Sequence, residues 1–124
     1  MTQRPDRPSK ASVNLDELLT RVDNDYGLLS ELIGIFKEEF PRLLQSLQQA
    51  VAREDLKNVE TASHTLKGML SGLSVTQASA IASRMEQMAR AGEKLKLANE
   101  MSLFEHEVAD LFPELDAYTA EAKS

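Results

Sequence analysis

From Leu28 to Val51 the apolar residues recur in steps of three and four: Leu28/Leu29, Leu32/Ile33, Phe36, Phe40, Leu43/Leu44, Leu47 and Val51. That period lines them up along one stripe of an α-helix and would scatter them over both faces of a strand. A helix this long with one apolar stripe cannot stand alone. It needs other helices to cover the stripe. The predicted helix covers about Tyr26 to Arg53. Gly34 weakens it slightly, and Pro41 is expected to kink it, because proline removes a backbone donor and crowds the preceding turn.

The partners follow in the same period. Asn14 is placed to cap a short helix through Leu15, Leu18, Leu19 and Val22. Asp55 can cap a helix over about Leu56 to Leu73. Thr76 can cap another over about Gln77 to Arg90, with Ile81, Met85 and Met88 inward and Gly92 ending it. A last helix is expected from about Glu93 to the C-terminus, with Leu97, Met101, Phe104, Val108, Leu111, Leu115 and Tyr118 on its stripe and Pro113 bending or interrupting it. No strand-like alternation or internal repeat occurs. Four substantial helices on short links predict an all-α fold: an antiparallel up-down four-helix bundle with a short extra N-terminal helix. Residues 1–12 carry two prolines, several charges and almost nothing apolar, and are expected to be a disordered tail or linker. Residues 13–124 form the predicted bundle domain.

Composition narrows the function classes. The formal charge is −6, a surface that phosphate backbones repel, so no nucleic-acid partner is expected. Cysteine is absent, which excludes disulfides, thiol nucleophiles and Cys-ligated metals. No apolar run approaches membrane-spanning length, and the N-terminal MTQRPDRPSK lacks the apolar segment of a signal peptide. A cytoplasmic, monomeric protein with no membrane contact is expected.

The chemistry-bearing residue is His64, in ETASHTLKGMLSG. On a helical wheel at about 100° per residue, Val59, Ala62, Leu66, Met69, Leu70 and Leu73 fall opposite His64 and form the core stripe. Lys57, Glu60, Lys67, Gly68 and Ser71 fall on the His64 side. The imidazole is therefore expected on the polar face. Lys67 lies one turn along that face, within reach of an anion held at the ring. Gly68 costs about 1 kcal/mol in a helix interior relative to Ala, which suggests close approach by something else. Ser71 adds a hydroxyl one turn beyond. A nucleophile, a cation and clearance together suit a phosphoryl group carried on the histidine.

H-T-L-K-G, His64 to Gly68, resembles the signature of histidine-containing phosphotransfer (HPt) domains. The order of elements agrees: a Phe36/Phe40 helix, a short Glu54-Asp55 link, the motif helix, then Arg84-Met85-Glu86 and Ala91-Gly92. The resemblance covers about residues 14–118. It implies a phosphorelay carrier of two-component signalling with a phosphohistidine intermediate and no catalytic activity of its own. Its histidine takes phosphoryl from a receiver-domain aspartyl phosphate and passes it to another receiver. The implied partners are response-regulator receiver domains and a hybrid histidine kinase. The chain needs no cofactor of its own, and Mg²⁺ is expected on the receiver. Carried over, His64 is the phosphoacceptor, Lys67 steadies the phosphoryl oxygens and Gly68 gives clearance. Glu60, Thr61 and Ser71 would rim the docking face. Leu32 and Phe36 could contribute to it, although a core role suits each better. The sequence departs from the family pattern after Gly68: small residues and a later glycine are usual, whereas here stand Met69 and Leu70, then Ser74 and Val75.

The sequence leaves other readings open. The same resemblance allows the phosphoacceptor domain of a chemotaxis-type kinase. A non-phosphorylated helical adaptor would leave His64 idle. G-M-L-S-G is not a nucleophile-elbow motif, and no strand precedes it. His64 and His106 show no metal-binding spacing, and His106 reads as a surface residue.

Overall fold

The computed structural model describes residues 12–123, and their side chains through Thr119. The expected tail therefore lies outside the described residues except for Ser12. Every regular element described is a helix: α1 (Leu15–Arg21), α2 (Tyr26–Ala52), α3 (Leu56–Gly72), α4 (Thr76–Ala91), α5 (Lys94–Val108) and α6 (Leu111–Lys123). None is long and apolar enough to cross a membrane.

Three helices start at side-chain caps. Asn14 Oδ1 accepts the Glu17 amide, Asp25 Oδ1 the Leu28 amide and Asp55 Oδ1 the Asn58 amide. Each satisfies a first-turn donor that has no partner within its helix. Helix α4 differs from expectation. Thr76 is its first residue rather than its cap; Val75 occupies the cap position, with no side-chain bond. Val75 is fully buried, so burial fixes this start. Gly92 ends α4 in the left-handed region, at φ +75°, which glycine adopts without strain.

The expected last helix is two helices. The chain leaves α5 at Val108 and resumes at Leu111. Pro113 is the third residue of α6. There its missing N–H is one that would have no partner anyway, whereas its ring would crowd the carbonyl of Ala109 if α5 ran on. Pro41, by contrast, lies within α2, which runs unbroken through it.

Packing places α3 chiefly against α4, and also against α2; α4 meets α5, and α2 meets α6. The core between them includes Leu29, Leu47, Val59, Leu66, Leu70, Met85, Leu97, Phe104, Leu111 and Leu115, all fully buried. Each such side chain contributes about 1.5–3 kcal/mol of burial. Phe36 and Phe40 stack at 4.8 Å, and Phe112 of α6 meets both edge-on or tilted at about 6 Å. Lys37 pairs with Asp116 beside this cluster.

The segment just before α1 is tied down twice. The Ser12 and Val13 amides donate to the Glu114 carboxylate at 3.0 and 3.1 Å. The Asn14 amide donates to the Ser74 carbonyl at 2.9 Å. Ser12, expected in the tail, is thus buried in the packed unit.

Candidate functional site

Helix α3 divides its residues as the wheel requires. Val59, Ala62, Leu66 and Leu70 are buried, while His64, Gly68 and Ser71 are exposed. Ser63 is also buried, its hydroxyl returned to the Val59 carbonyl at 2.6 Å. The His64 side chain is 64% exposed, so it is held in place by something other than burial.

That holder is Glu86 of α4, which faces the His64 turn because α3 and α4 pack along their length. Its side chain is 4% exposed. Oε2 lies 3.0 Å from His64 Nδ1, and Oε1 accepts from Lys67 Nζ at 2.8 Å. Oε2 also accepts from Arg90 Nη2 at 2.7 Å. Arg90 in turn donates from Nε to Glu60 at 2.8 Å. One buried carboxylate therefore joins His64, Lys67 and Arg90.

The Lys67 hydrogen bond holds the Glu86 carboxyl below the usual carboxylate range; burial opposes this, and the His64 bond and the charges of Lys67 and Arg90 reinforce it. An ionised carboxylate only accepts hydrogen bonds. The His64 proton facing it must then sit on Nδ1, and in the neutral ring Nε2 keeps the lone pair. The network thus selects one tautomer of an otherwise exposed imidazole.

The other expected residues divide. Lys67 is brought to His64 through their common partner. Glu60 is brought in through Arg90. At Gly68 a β-carbon would meet nothing within 4 Å, so no internal contact requires glycine there. The Ser71 hydroxyl is engaged with Ser79 Oγ at 2.7 Å, and Ser79 donates to the Lys67 carbonyl at 3.1 Å. Ser71 so supports the backbone beside Lys67. Thr61 stands apart from the carboxylate network: its hydroxyl donates to the Lys57 carbonyl, and it lines a groove towards α2 with Ser46, Gln49 and Arg53. Phe36 is a core residue, and Leu32 is partly buried against the core. Among the described residues no cluster of His, Asp and Glu is arranged to hold a metal ion.

Glu86 and Arg90 were not among the residues expected at the site. The sequence does carry a faint sign of them, a Glu and an Arg spaced i, i+4 beside the Met85 stripe. Such pairs are common on helix surfaces and point to no particular neighbour.

The family model described as Hpt domain matches residues 31–118. No curated protein and no solved structure gives a significant match.

Proposed function

Because the chain belongs to the Hpt domain family, whose members serve histidine phosphotransfer in phosphorelays and interact with receiver domains and histidine kinases, we propose that His64 is the phosphoacceptor of this chain. The observation that carries the reading is an exposed imidazole whose Nδ1 lies 3.0 Å from the Glu86 carboxylate; a proton on Nδ1 facing that acceptor leaves Nε2 as the nucleophile.

On this reading Nε2 attacks the phosphorus of an aspartyl phosphate on a receiver domain. The P–O bond breaks, and its electron pair returns to the aspartate carboxylate. No proton needs to leave Nδ1. Mg²⁺ belongs to the receiver. Lys67 moves from Glu86 to the incoming phosphoryl oxygens, where a cation offsets the charge. Gly68 leaves room for the receiver's active site to approach the α3 backbone. Glu60 and Ser71 rim the docking face through Arg90 and Ser79. Thr61 borders the same face on its α2 side. The second half of the relay is the reverse chemistry towards another receiver. The helices that present this face are read as an antiparallel up-down four-helix bundle, with α5 and α6 together making the fourth member.

The test is incubation with Mg²⁺ and a phosphorylated receiver domain, followed by intact-mass measurement. One acid-labile phosphoryl group is expected on the wild-type chain and none on His64→Ala. The variant should keep its helical circular dichroism and cooperative unfolding, since truncating an exposed side chain costs little. A phosphoryl group that persists in the variant, or a variant that no longer folds, overturns the assignment.

A further inference from the structure

We infer that the buried Glu86 carboxylate makes phosphohistidine at position 64 a readily discharged, short-lived carrier, by keeping the phosphorylated ring protonated at Nδ1. The inference rests on the reading of His64 as phosphoacceptor and concerns how that group then behaves.

The argument starts from the leaving group. To discharge, an acceptor oxygen attacks phosphorus, and the P–Nε2 bond breaks with its electron pair returning to Nε2. If Nδ1 carries a proton, the ring departs as neutral imidazole. If Nδ1 is bare, it must depart as imidazolate, a far poorer leaving group. The lifetime of the carrier therefore depends on the proton at Nδ1.

The geometry bears on that proton directly. Glu86 Oε2 is 3.0 Å from Nδ1, and its side chain is 4% exposed. A bare Nδ1 would face the buried carboxylate acceptor to acceptor. A protonated Nδ1 would make a charge-assisted hydrogen bond. Among the described residues, every charged group engaged with this carboxylate comes from α3 or α4. Lys67 and Arg90 compete with the ring for it, and Glu60 draws Arg90 outward. From α5, Glu100 is occupied by Arg84 instead. When Lys67 turns to the phosphoryl oxygens, it vacates Oε1, and more of the Glu86 charge acts on the ring. The same proton is present before uptake, while phosphorylated and after discharge, so the site closes its cycle without proton exchange.

Glu86 is thus a positioning residue whose charge, and not only its shape, matters. Glu86→Gln separates the two, because the amide oxygen still accepts from Nδ1–H but carries no charge. The full chain is phosphorylated with phosphoramidate or a phosphorylated receiver, the donor is removed, and loss of the phosphoryl group is followed by intact mass from about pH 5 to pH 9. An opposite charge in contact shifts a titration by about one unit or more. The midpoint of rapid decay is expected about one pH unit lower in Glu86→Gln, with decay about tenfold slower on the alkaline side. Glu86→Asp, which keeps the charge, should lie nearer the wild type. If Glu86→Gln does not fold, the phosphorylated wild-type chain in concentrated urea supplies the comparison and should decay more slowly than the folded chain near pH 8. Superimposable profiles with and without the folded carboxylate overturn this inference alone. Failure of the wild type to take up phosphoryl on His64 overturns the phosphoacceptor reading, and this inference with it.

Discussion

Ser74 holds its backbone at φ +59° in a residue that is only 1% exposed. Its hydroxyl is buried with no hydrogen-bond partner among the described residues. Two costs meet there. An L-residue in the left-handed region is disfavoured by about 1 kcal/mol, and an unsatisfied buried hydroxyl costs about as much again. The position cannot simply relax, because the Ser74 carbonyl receives the Asn14 amide and so joins the chain before α1 to the α3–α4 link. The later glycine usual in the resembling family would suit this backbone. Ser74→Gly is therefore expected to stabilise the chain by about 1 kcal/mol, after allowing about 0.5–1 kcal/mol for the extra freedom of glycine in the unfolded state. Urea denaturation should show a higher midpoint at an unchanged slope. A lower midpoint would mean that the serine hydroxyl contributes more than its surroundings suggest.

At the scale of the helix, α3 carries a cost that its own packing does not require. Gly68 is helical, its backbone is unstrained, and a β-carbon there would touch nothing within 4 Å. Gly68→Ala should accordingly stabilise the isolated chain by about 0.5–1 kcal/mol. On the proposed function it should also slow phosphoryl uptake from a receiver, since the added methyl would enter open space that a docking partner would need. Stopped-flow or quenched transfer kinetics beside thermal unfolding would read both effects. Stabilisation with an unchanged transfer rate would remove close approach as the reason for this glycine. The same scale explains what the sequence revealed. The polar face bearing His64, Lys67 and Gly68 follows from a 3.6-residue period within one helix, and the caps at Asn14, Asp55 and Gly92 are local chemistry. Glu86 was not legible because it lies 22 residues from His64, on another helix. Its place opposite the imidazole depends on how α3 and α4 are staggered, and periodicity says nothing about stagger. The break between α5 and α6 was half legible. Pro113 announced an interruption, but its ring acts on the carbonyl four residues earlier, so the break falls before the proline. The start of α4 departs from the sequence expectation because a buried valine, rather than a threonine hydroxyl, occupies the cap position.

Across the whole molecule, the contacts that matter most to the site are local, α3 with α4 through a three-residue link, whereas the contacts farthest apart in sequence lie away from it. The Glu114 carboxylate grips the Ser12 and Val13 amides over separations of 102 and 101 residues, and also accepts from the Tyr118 hydroxyl at 2.7 Å. These amides precede the first helix and would ordinarily behave as a loose end. Clamped by a carboxylate, they become reporters instead. In heavy water they trade hydrogen for deuterium when the grip of α6 opens, so their exchange times the opening of this contact between the segment before α1 and α6. Glu114→Ala should raise their exchange rates by about tenfold or more while leaving the amides of α3 and α4 unaffected. Acceleration that spread into α3 would show that the clamp supports the face bearing His64 from a distance. Confined to Ser12 and Val13, it would show that strain on the segment before α1 can be absorbed at α6 without disturbing His64.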